Sequence, residues 1–263
     1  MLKKKLSTKQ KNKQNNKKPF HQRLIRHLRA WHRKLGIITA VFIIFLAITG
    51  MMINHANWLS LDISSVKNSW LLNYYGIKAP NDVRFYADKK ISVTDNYVWL
   101  DDKLLFESTT AVISAAKFQQ FYLIVSSDQI SLYSHQGELV DQLDSASGVP
   151  DNILALAINN QHIIVKTDDN IMQTDSDFFT WQTVTGDNFN WIKPEDASNT
   201  AKQSAILQFK SQFLSWEQVL LDAHSGRIFS QAGVFVSDII ALLLIMLSVS
   251  GIYIWLRYAN NKR

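Results

Sequence analysis

Two long apolar stretches constrain this chain more than any other feature of its sequence. Residues 35–53 are nineteen residues without a charge. A helix of that length spans about 28 Å at ~1.5 Å per residue, close to the thickness of the hydrocarbon core of a bilayer. A second such stretch, residues 239–255, lies near the other end. Two membrane crossings predict that everything between them lies on one side of the membrane and both tails on the other.

The basic residues are concentrated in the two tails. Residues 1–34 contain thirteen Lys or Arg and no acid, and three more basic residues follow Trp255. The tails therefore hold 16 of the 28 basic residues, which leaves 12 against all 22 acidic residues in between. Basic flanks predict that both termini are cytoplasmic and that the central region is exported. This distribution favours the lipid bilayer as a partner and argues against nucleic acid.

A cleaved signal peptide is the alternative interpretation of the first apolar stretch. Its length exceeds the 7–15 residues of a usual signal core, and no small-x-small cleavage site follows it. We therefore expect it to be retained as a transmembrane helix over residues 35–55. The chain contains no cysteine, so it has neither a disulfide framework nor a thiolate metal site.

The first 34 residues change character part-way. Residues 1–19 are rich in Lys, Asn and Gln with almost nothing to bury, which predicts a disordered basic tail. Residues 20–34 predict an amphipathic helix lying in the membrane interface. Its apolar positions share one helical face: Phe20, Leu24, His27, Leu28 and Trp31.

The central region, residues 56–232, carries short strand signals. Three segments consist of an apolar arm, a polar turn and a second apolar arm: residues 97–107, 122–143 and 162–175. Their irregular spacing predicts a β-rich domain of hairpins or a meander, partly like the blades of a propeller, although three hairpins are too few to close one.

The end of the central region contains two further predicted elements. Residues 200–212 predict a short helix. Residues 215–231 predict a strand, a turn at His224-Ser225-Gly226, and a return strand. A second transmembrane helix is expected over residues 233–256, followed by a cytoplasmic tail over 257–263. The fold class is therefore an α+β membrane protein, with two antiparallel transmembrane helices flanking a periplasmic β-rich domain.

Small residues recur in both apolar helices, and Thr49 and Ser250 are among them. In an antiparallel pair Gly36 lies at the depth of Gly251, and Gly50 at the depth of Gly233. Small residues at matching depth let two helix backbones approach closely. We therefore expect the two helices to pack on each other, or in a dimer of such pairs.

Two segments carry a family resemblance. The first, WHRKLGIITAVFIIFLAITGMMINH, has His32, Gly36 and Thr49-Gly50. The second is LLDAHSGRIFSQAGVFVSDIIALLLIMLSVSGIYIWLRY, and its matching residues are Asp222, His224, Gly226, Arg227, Asp238, Ser250-Gly251 and Trp255. Together these segments, about 65 residues, resemble the PepSY-associated transmembrane family of bacterial inner-membrane proteins. The resemblance implies an inner-membrane location with a periplasmic central domain. It leaves the middle β region unexplained.

The resemblance also implies a redox role. Members with more helices include siderophore-iron reductases that resemble haem-bearing transmembrane electron carriers, and others accompany flavin-linked envelope electron transfer. A b-type haem in such a carrier takes two axial ligands, commonly imidazoles. The candidate cofactor-binding residues here are His55, His224 and His32. His32 and His55 are 23 residues apart, about 34 Å along one helix, so they cannot ligate one haem together.

The histidines admit two interpretations. In the first, His55 and His224 pair on the exported side, and His32 needs another copy of the chain for a site on the cytoplasmic side. In the second they are structural: an interfacial residue, a helix cap and a turn residue. Asp238 is either a helix-terminal carboxylate favoured by the dipole or a partner of Arg227 or His55.

Three functions remain open from the sequence. The first is an accessory or carrier in transmembrane electron transfer, alone or as part of a membrane reductase. The second is a membrane-anchored periplasmic binding or interaction module, and the third is a sensor that passes a signal to the basic tail. A homodimer or an envelope protein is the expected partner. No nucleophile-elbow, zinc-protease or phosphate-loop motif indicates a hydrolase or a nucleotide enzyme.

Overall fold

The computed structural model describes residues 20–175, 178, 180–186 and 188–260. The predicted tail over 1–19 and the last three residues of the predicted tail over 257–263 lie outside this range. The described chain divides into two compact units. The helical unit comprises residues up to Ser60 and from Glu217 onward, and the β domain comprises Leu61–Trp216.

The first helix of the helical unit, α1, runs without interruption from Phe20 to Asn54. It joins the segment predicted to lie in the interface, residues 20–34, to the first transmembrane segment. No proline interrupts the sequence, so nothing removes a backbone hydrogen bond between the two parts. Its apolar side chains are largely exposed, with Ile37 69% exposed, as expected of a surface that faces lipid.

The prediction of two strands over residues 215–231 is wrong. Trp216–Ser225 forms the helix α4, a 3₁₀ turn follows over Arg227–Phe229, and the long helix α5 runs from Ser230 to Asn260. The segment WEQVLLDAHS spaces its apolar residues at i, i+3 and i+4, which suits a helix, and its buried residues are Val219 and Asp222. Two spans, Arg26–Asn54 and Arg227–Arg257, are long and apolar enough to cross a membrane.

The turn from α4 into α5 depends on two glycines. Gly226 has φ +79°, a conformation that glycine adopts at little cost after a helix. A Cβ on Gly233 would collide with the carbonyl oxygen of Gly226, and a Cβ on Gly226 would collide with the backbone of Gly233. The close approach of Gly233 is therefore to Gly226 in this turn. The sequence analysis had instead predicted that Gly233 lies close to Gly50 on the other helix. Gly36 has no atom within 4 Å of the position of its missing Cβ.

The β domain contains three four-stranded antiparallel sheets, each a simple meander of consecutive strands. The strands of the first sheet are β1 Val83–Tyr86, β2 Ile91–Thr94, β3 Tyr97–Leu100 and β4 Lys103–Glu107. Those of the second are β5 Val112–Phe118, β6 Phe121–Ser126, β7 Ile130–Tyr133 and β8 Leu139–Leu143. Those of the third are β9 Ala155–Asn159, β10 His162–Lys166, β11 Ile171–Thr174 and β12 Gln182–Thr183. The three predicted hairpins are confirmed as β3–β4, β6–β7 and β10–β11.

The first strands of the three meanders lie side by side, as β5 contacts both β1 and β9. One apolar cluster lies between the second and third sheets and includes Leu123, Ile130 and Ile163, all fully buried. A connecting segment then bridges the third sheet and the first. The Ile192 amide donates to the Leu156 carbonyl at 2.8 Å, and the Glu195 amide donates to the Phe85 carbonyl at 2.8 Å.

Two helices and a short ladder complete the β domain. The predicted helix over 200–212 is confirmed as α3, Asn199–Ser211, whose Ser198 cap accepts a hydrogen bond from the Ala201 amide. The helix α2 spans Ser69–Tyr74, and Lys210 of α3 donates to the Asn73 side chain. The two ends of the domain pair with each other, since the Val66 amide donates to the Leu214 carbonyl at 2.9 Å.

We expect Gly233→Ala to lower the thermal unfolding midpoint of the detergent-solubilised protein. The added methyl group collides with the Gly226 backbone, and forced overpacking of this kind costs about 1–3 kcal/mol. Gly36→Ala is the matched control in the other long helix. It has open space around it and removes a flexible residue from a helix, so it should leave the midpoint unchanged or raise it. Equal midpoints for the two variants would contradict the close approach.

Candidate functional site: two histidines bound by helix hydroxyls

The helical unit brings His224 of α4 against α1. The Nδ1 atom of His224 lies 2.8 Å from the Thr49 hydroxyl oxygen. The next residue along α1 is Gly50, and a Cβ there would lie 3.5 Å from Cε1 of His224. The glycine therefore leaves room for the imidazole ring directly beside the hydroxyl that it contacts.

The hydrogen-bond pattern around Thr49 determines the tautomer of His224. The Thr49 hydroxyl donates its proton to the Phe45 carbonyl at 2.9 Å, with the Leu46 carbonyl at 3.2 Å. A hydroxyl has one proton, so toward the ring Thr49 acts as an acceptor. With the hydroxyl proton so directed, Nδ1 of His224 donates to Thr49, and in the neutral form of the ring the lone pair is on Nε2.

The same arrangement occurs at the other end of the two long helices. Nδ1 of His32, on α1, lies 2.9 Å from the Ser250 hydroxyl oxygen of α5. The Ser250 hydroxyl donates to the Leu247 carbonyl at 3.0 Å, so it too accepts from the ring. A Cβ on the following residue, Gly251, would lie 3.3 Å from Cε1 of His32.

The two histidine sites thus repeat one design in opposite directions. Each uses a hydroxyl residue followed by glycine on one long helix, and a half-buried imidazole supplied by another helix. The α1 residues of the two sites, His32 and Thr49, are about 26 Å apart along the helix axis, at ~1.5 Å per residue. The two lone pairs therefore lie near opposite ends of the apolar part of the helical pair.

His224 also lines an apolar cavity of about 650 Å³ between α1 and the start of α5. Phe42 and Phe45 line it from α1, and Phe229 and Val236 line it from the other side. This volume is in the range of cofactor and ligand sites, which are mostly apolar with a few polar groups that fix orientation. A second cavity of about 390 Å³ is lined by Arg29, His32, Gly251, Ile254 and Trp255.

The structure places His55 differently from the other two histidines. It lies just past the end of α1, exposed, and its Nδ1 donates to the Met51 carbonyl at 2.9 Å. It lines a separate hollow with Trp58 and Glu217, and does not line the cavity beside His224. The two are not brought into one cavity. In all three rings Nε2 forms no hydrogen bond within the part of the chain that the structure describes.

The acidic candidates are separated as well. Asp222 is buried in α4, where its carboxylate accepts from the Gln218 amide at 3.1 Å. Asp238 lies about two turns into α5 because the helix begins at Ser230, not close to residue 238 as the sequence prediction assumed. It is exposed. Within the described ranges, no group of three or more His, Asp or Glu is close enough to hold a metal ion.

The roles of Thr49 and Ser250 were missed by the sequence analysis. It treated both as small residues in a helix–helix contact. The available signal was the repeated pair of a hydroxyl residue and glycine, Thr49-Gly50 and Ser250-Gly251, in the same helices as the candidate histidines. The contacts join residues 175 and 218 positions apart, so spacing along the chain does not reveal them.

The family comparison covers nearly the whole chain. The sequence model described as "PepSY-associated TM region" matches residues 4–258. The chain belongs to the PepSY-associated transmembrane family. Both histidine sites lie within the matched residues, and so does the β domain. This confirms the resemblance that rested on the two ends of the sequence, and it identifies the protein as a membrane protein of this family.

Comparisons with curated proteins and with solved structures add little about this PepSY-associated protein. Curated proteins give no match. Among solved structures, Hsv2 of Kluyvelomyces marxianus is 12% identical with a TM-score of 0.28, and covers 41% of this chain and 39% of its own. KlHsv2 with loop 6CD replaced by a Gly-Ser linker is 15% identical with a TM-score of 0.26, with coverage of 43% and 40%. The chain thus spans about two fifths of the length of these structures.

We expect Thr49→Val to weaken the preference of His224 for the tautomer with hydrogen on Nδ1. Valine has the shape of threonine without the acceptor, and losing one hydrogen bond of about 1 kcal/mol shifts the tautomer ratio about fivefold. Nitrogen NMR of protein labelled in histidine measures the ratio for each ring. Thr49→Ser keeps the hydroxyl and serves as the control. An unchanged His224 signal in Thr49→Val would refute the assigned donor and acceptor roles.

Proposed function

We propose that this PepSY-associated protein is an accessory or carrier in transmembrane electron transfer linked to ferric-siderophore or flavin-dependent reduction, with b-type haem as its cofactor. The observation that carries the proposal is the pair of imidazoles held through Nδ1 by helix hydroxyls, one near each end of the helical pair. When bound, haem iron supplies one-electron transfer between its ferric and ferrous states.

The donor set fits such a cofactor. An imidazole that ligates a metal through one nitrogen usually donates the other N–H to an acceptor, which fixes the orientation of the ring. Thr49 supplies that acceptor for His224, and Ser250 supplies it for His32. The apolar cavity beside His224 would exclude water from a bound macrocycle.

Each site contains one of these imidazoles, whereas a bis-imidazole carrier needs two. On the His32 side, the second ligand in our proposal comes from His32 of another copy of the chain. On the other side, His224 pairs with a histidine of a second copy, either its His224 or its His55, since the structure does not bring His55 and His224 of one chain into one cavity. The proposed orientation puts the His32 end on the cytoplasmic side of the inner membrane and the β domain in the periplasm, because the basic residues flank that end.

A specific feature of the β domain favours a second function, a membrane-anchored periplasmic binding module. A groove of about 660 Å³ is lined by Trp99, Leu104, Leu207 and Gln212, among others. The amide nitrogen of Gln212 is buried and has no hydrogen-bond partner in the described chain. Gln212 lines this groove, and a ligand that brings an acceptor would satisfy the amide once the side chain turned toward it.

A reduced-minus-oxidised visible spectrum of protein purified in detergent from haem-replete cells tests the proposal. We expect Soret and α bands from the wild type. His224→Ala and His32→Ala should each lower the haem content, measured by pyridine haemochrome against protein concentration, because each removes a ligand. His55→Ala distinguishes the origin of the second ligand, since it lowers the haem content only where His55 pairs with His224.

The controls separate loss of haem from loss of fold. His135→Ala and His162→Ala remove histidines of the β domain and should leave the spectrum intact. Circular dichroism and size-exclusion profiles verify that the other variants remain folded. A flat wild-type spectrum in haem-replete material would eliminate the electron-transfer proposal and leave the binding module, which would keep its activity after replacement of His32, His55 and His224 together.

A further inference from the structure

The exposed aromatic side chains of the β domain lie near its two chain ends. Among the residues of this domain that the structure describes, four aromatic side chains are exposed: Trp70, Tyr74, Phe213 and Trp216. The first two belong to α2 and the other two follow α3, while the described strands contribute none. Exposed apolar side chains that are concentrated in one region mark an interaction surface. We name these four side chains the aromatic end of the domain.

The two chain ends of the domain are bound to each other. The Trp216 amide donates to the Ser64 carbonyl at 3.0 Å, next to the pairing of Val66 with Leu214 described above. Helix α3 is joined to α2 in the same region by the contact between Lys210 and the Asn73 side chain. The aromatic end therefore lies where the chain enters the domain from α1 and leaves it into α4.

The aromatic side chains of α2 are held in a fixed position. Leu71 and Leu72 are buried, so one side of this short helix packs on the domain. On the other side Trp70 is 71% exposed and Tyr74 is 51% exposed, and their rings stack with centroids 5.6 Å apart. A helix that is apolar on every side is normally covered on every side, which indicates that the outer side of α2 meets a further surface.

The charges of the domain divide in the same way. Residues 63–81 and 197–216, which contain the aromatic end, hold four Lys and no acid. Residues 82–196 between them, which contain the three sheets, hold 7 Lys or Arg against 18 Asp or Glu. An anionic membrane surface repels a strongly acidic region and attracts lysines that lie close to it. The aromatic end is therefore the part of the domain whose charge suits contact with such a surface.

We propose that the aromatic end of the β domain docks on the surface of the membrane that the two long helices span, with Trp70 and Tyr74 at the level of the lipid headgroups. Trp and Tyr favour this level because their rings are largely apolar and carry one hydrogen-bonding group. An apolar face seated in this way enters about 5–10 Å into the boundary between headgroups and acyl chains. The anchored domain is thereby fixed against the bilayer as well as tethered to it.

The course of the chain selects the bilayer as the occupant of this surface. Only ten positions separate Asn54, the last residue of α1, from Ser64 of the paired chain ends. Even fully extended, a connection of that length spans about 35 Å at ~3.5 Å per residue. At the other chain end Trp216 is already the first residue of α4. The chain itself keeps the aromatic end within reach of the bilayer, and the proposal does not depend on haem.

A fluorescent probe on single cysteines tests the contact, because the chain contains no cysteine of its own. Ser69→Cys places the probe beside Trp70, and Gln161→Cys places it in the turn between β9 and β10; both positions are exposed. The full-length protein is reconstituted in vesicles of phosphatidylethanolamine and phosphatidylglycerol that contain nitroxide-labelled lipid. We expect the probe at Ser69→Cys to be quenched, more by a nitroxide near the headgroup than by one at the acyl-chain end, and the probe at Gln161→Cys to be unaffected.

Two double substitutions test which side chains make the contact. Trp70→Ala with Tyr74→Ala removes the stacked rings of α2, whereas Leu139→Ala with Val140→Ala removes two exposed apolar side chains of β8. We expect the first pair to abolish the quenching of the probe at Ser69→Cys and the second pair to leave it unchanged. Thermal unfolding in detergent verifies that both variants stay folded, as expected where the replaced side chains are largely exposed.

Several results would overturn the proposal. A probe at Ser69→Cys that labelled lipid does not quench has no contact with the bilayer. If the emission of that probe shows shielding from water without quenching by lipid, a protein such as a second copy covers the aromatic end instead. Equal quenching at Ser69→Cys and Gln161→Cys, or quenching that persists in the folded variant without both rings, would exclude docking through α2. Each result can be read whether or not the protein binds haem.

Discussion

The hydrogen bond between a helix hydroxyl and an imidazole is the interaction on which the helical unit depends. It works because Thr49 and Ser250 have already given their protons to carbonyls of their own helices. Their remaining lone pairs can only accept, so the rings must donate through Nδ1. The adjoining glycines, Gly50 and Gly251, leave the space that the rings need. At each site the hydroxyl residue and the glycine that follows it thus set the position and the tautomer of the histidine.

Much of this architecture follows from the sequence, because local patterns dictate it. Charge-free runs as long as a bilayer is thick predicted the two long helices, and apolar arms around polar turns predicted three hairpins. The helix α3 follows from a polar cap and a helical period. These signals are short-range, so they can be recognised without knowledge of the tertiary structure. The family membership rested on motifs at the two ends, each meaningful only together with the other.

The features that sequence reasoning did not predict depend on contacts between distant residues, or on a choice between the two-residue period of a strand and the 3.6-residue period of a helix. The segment WEQVLLDAHS satisfies both an alternating and a helical reading over a short window, and burial of Val219 and Asp222 in α4 decides for the helix. The start of α5 at Ser230 moves Asp238 from the predicted helix end to about two turns inside the helix. The histidine contacts span most of the chain, and only the antiparallel pairing of α1 with α5 brings their partners together.

The polar side chains of the two long helices differ in how they are satisfied. Four hydroxyl groups each donate to a carbonyl of the preceding turn: those of Thr39, Thr49, Ser248 and Ser250. This removes the free-energy cost of an unpaired hydroxyl donor in an apolar layer. A carboxyl group cannot be satisfied in this way, because its own helix offers no free amide hydrogen at mid-length. Asp238 accordingly has no hydrogen bond or ion pair with any residue that the structure describes. The histidines are satisfied from a different helix, so polar contacts between helices stabilise this unit where apolar packing gains little over lipid.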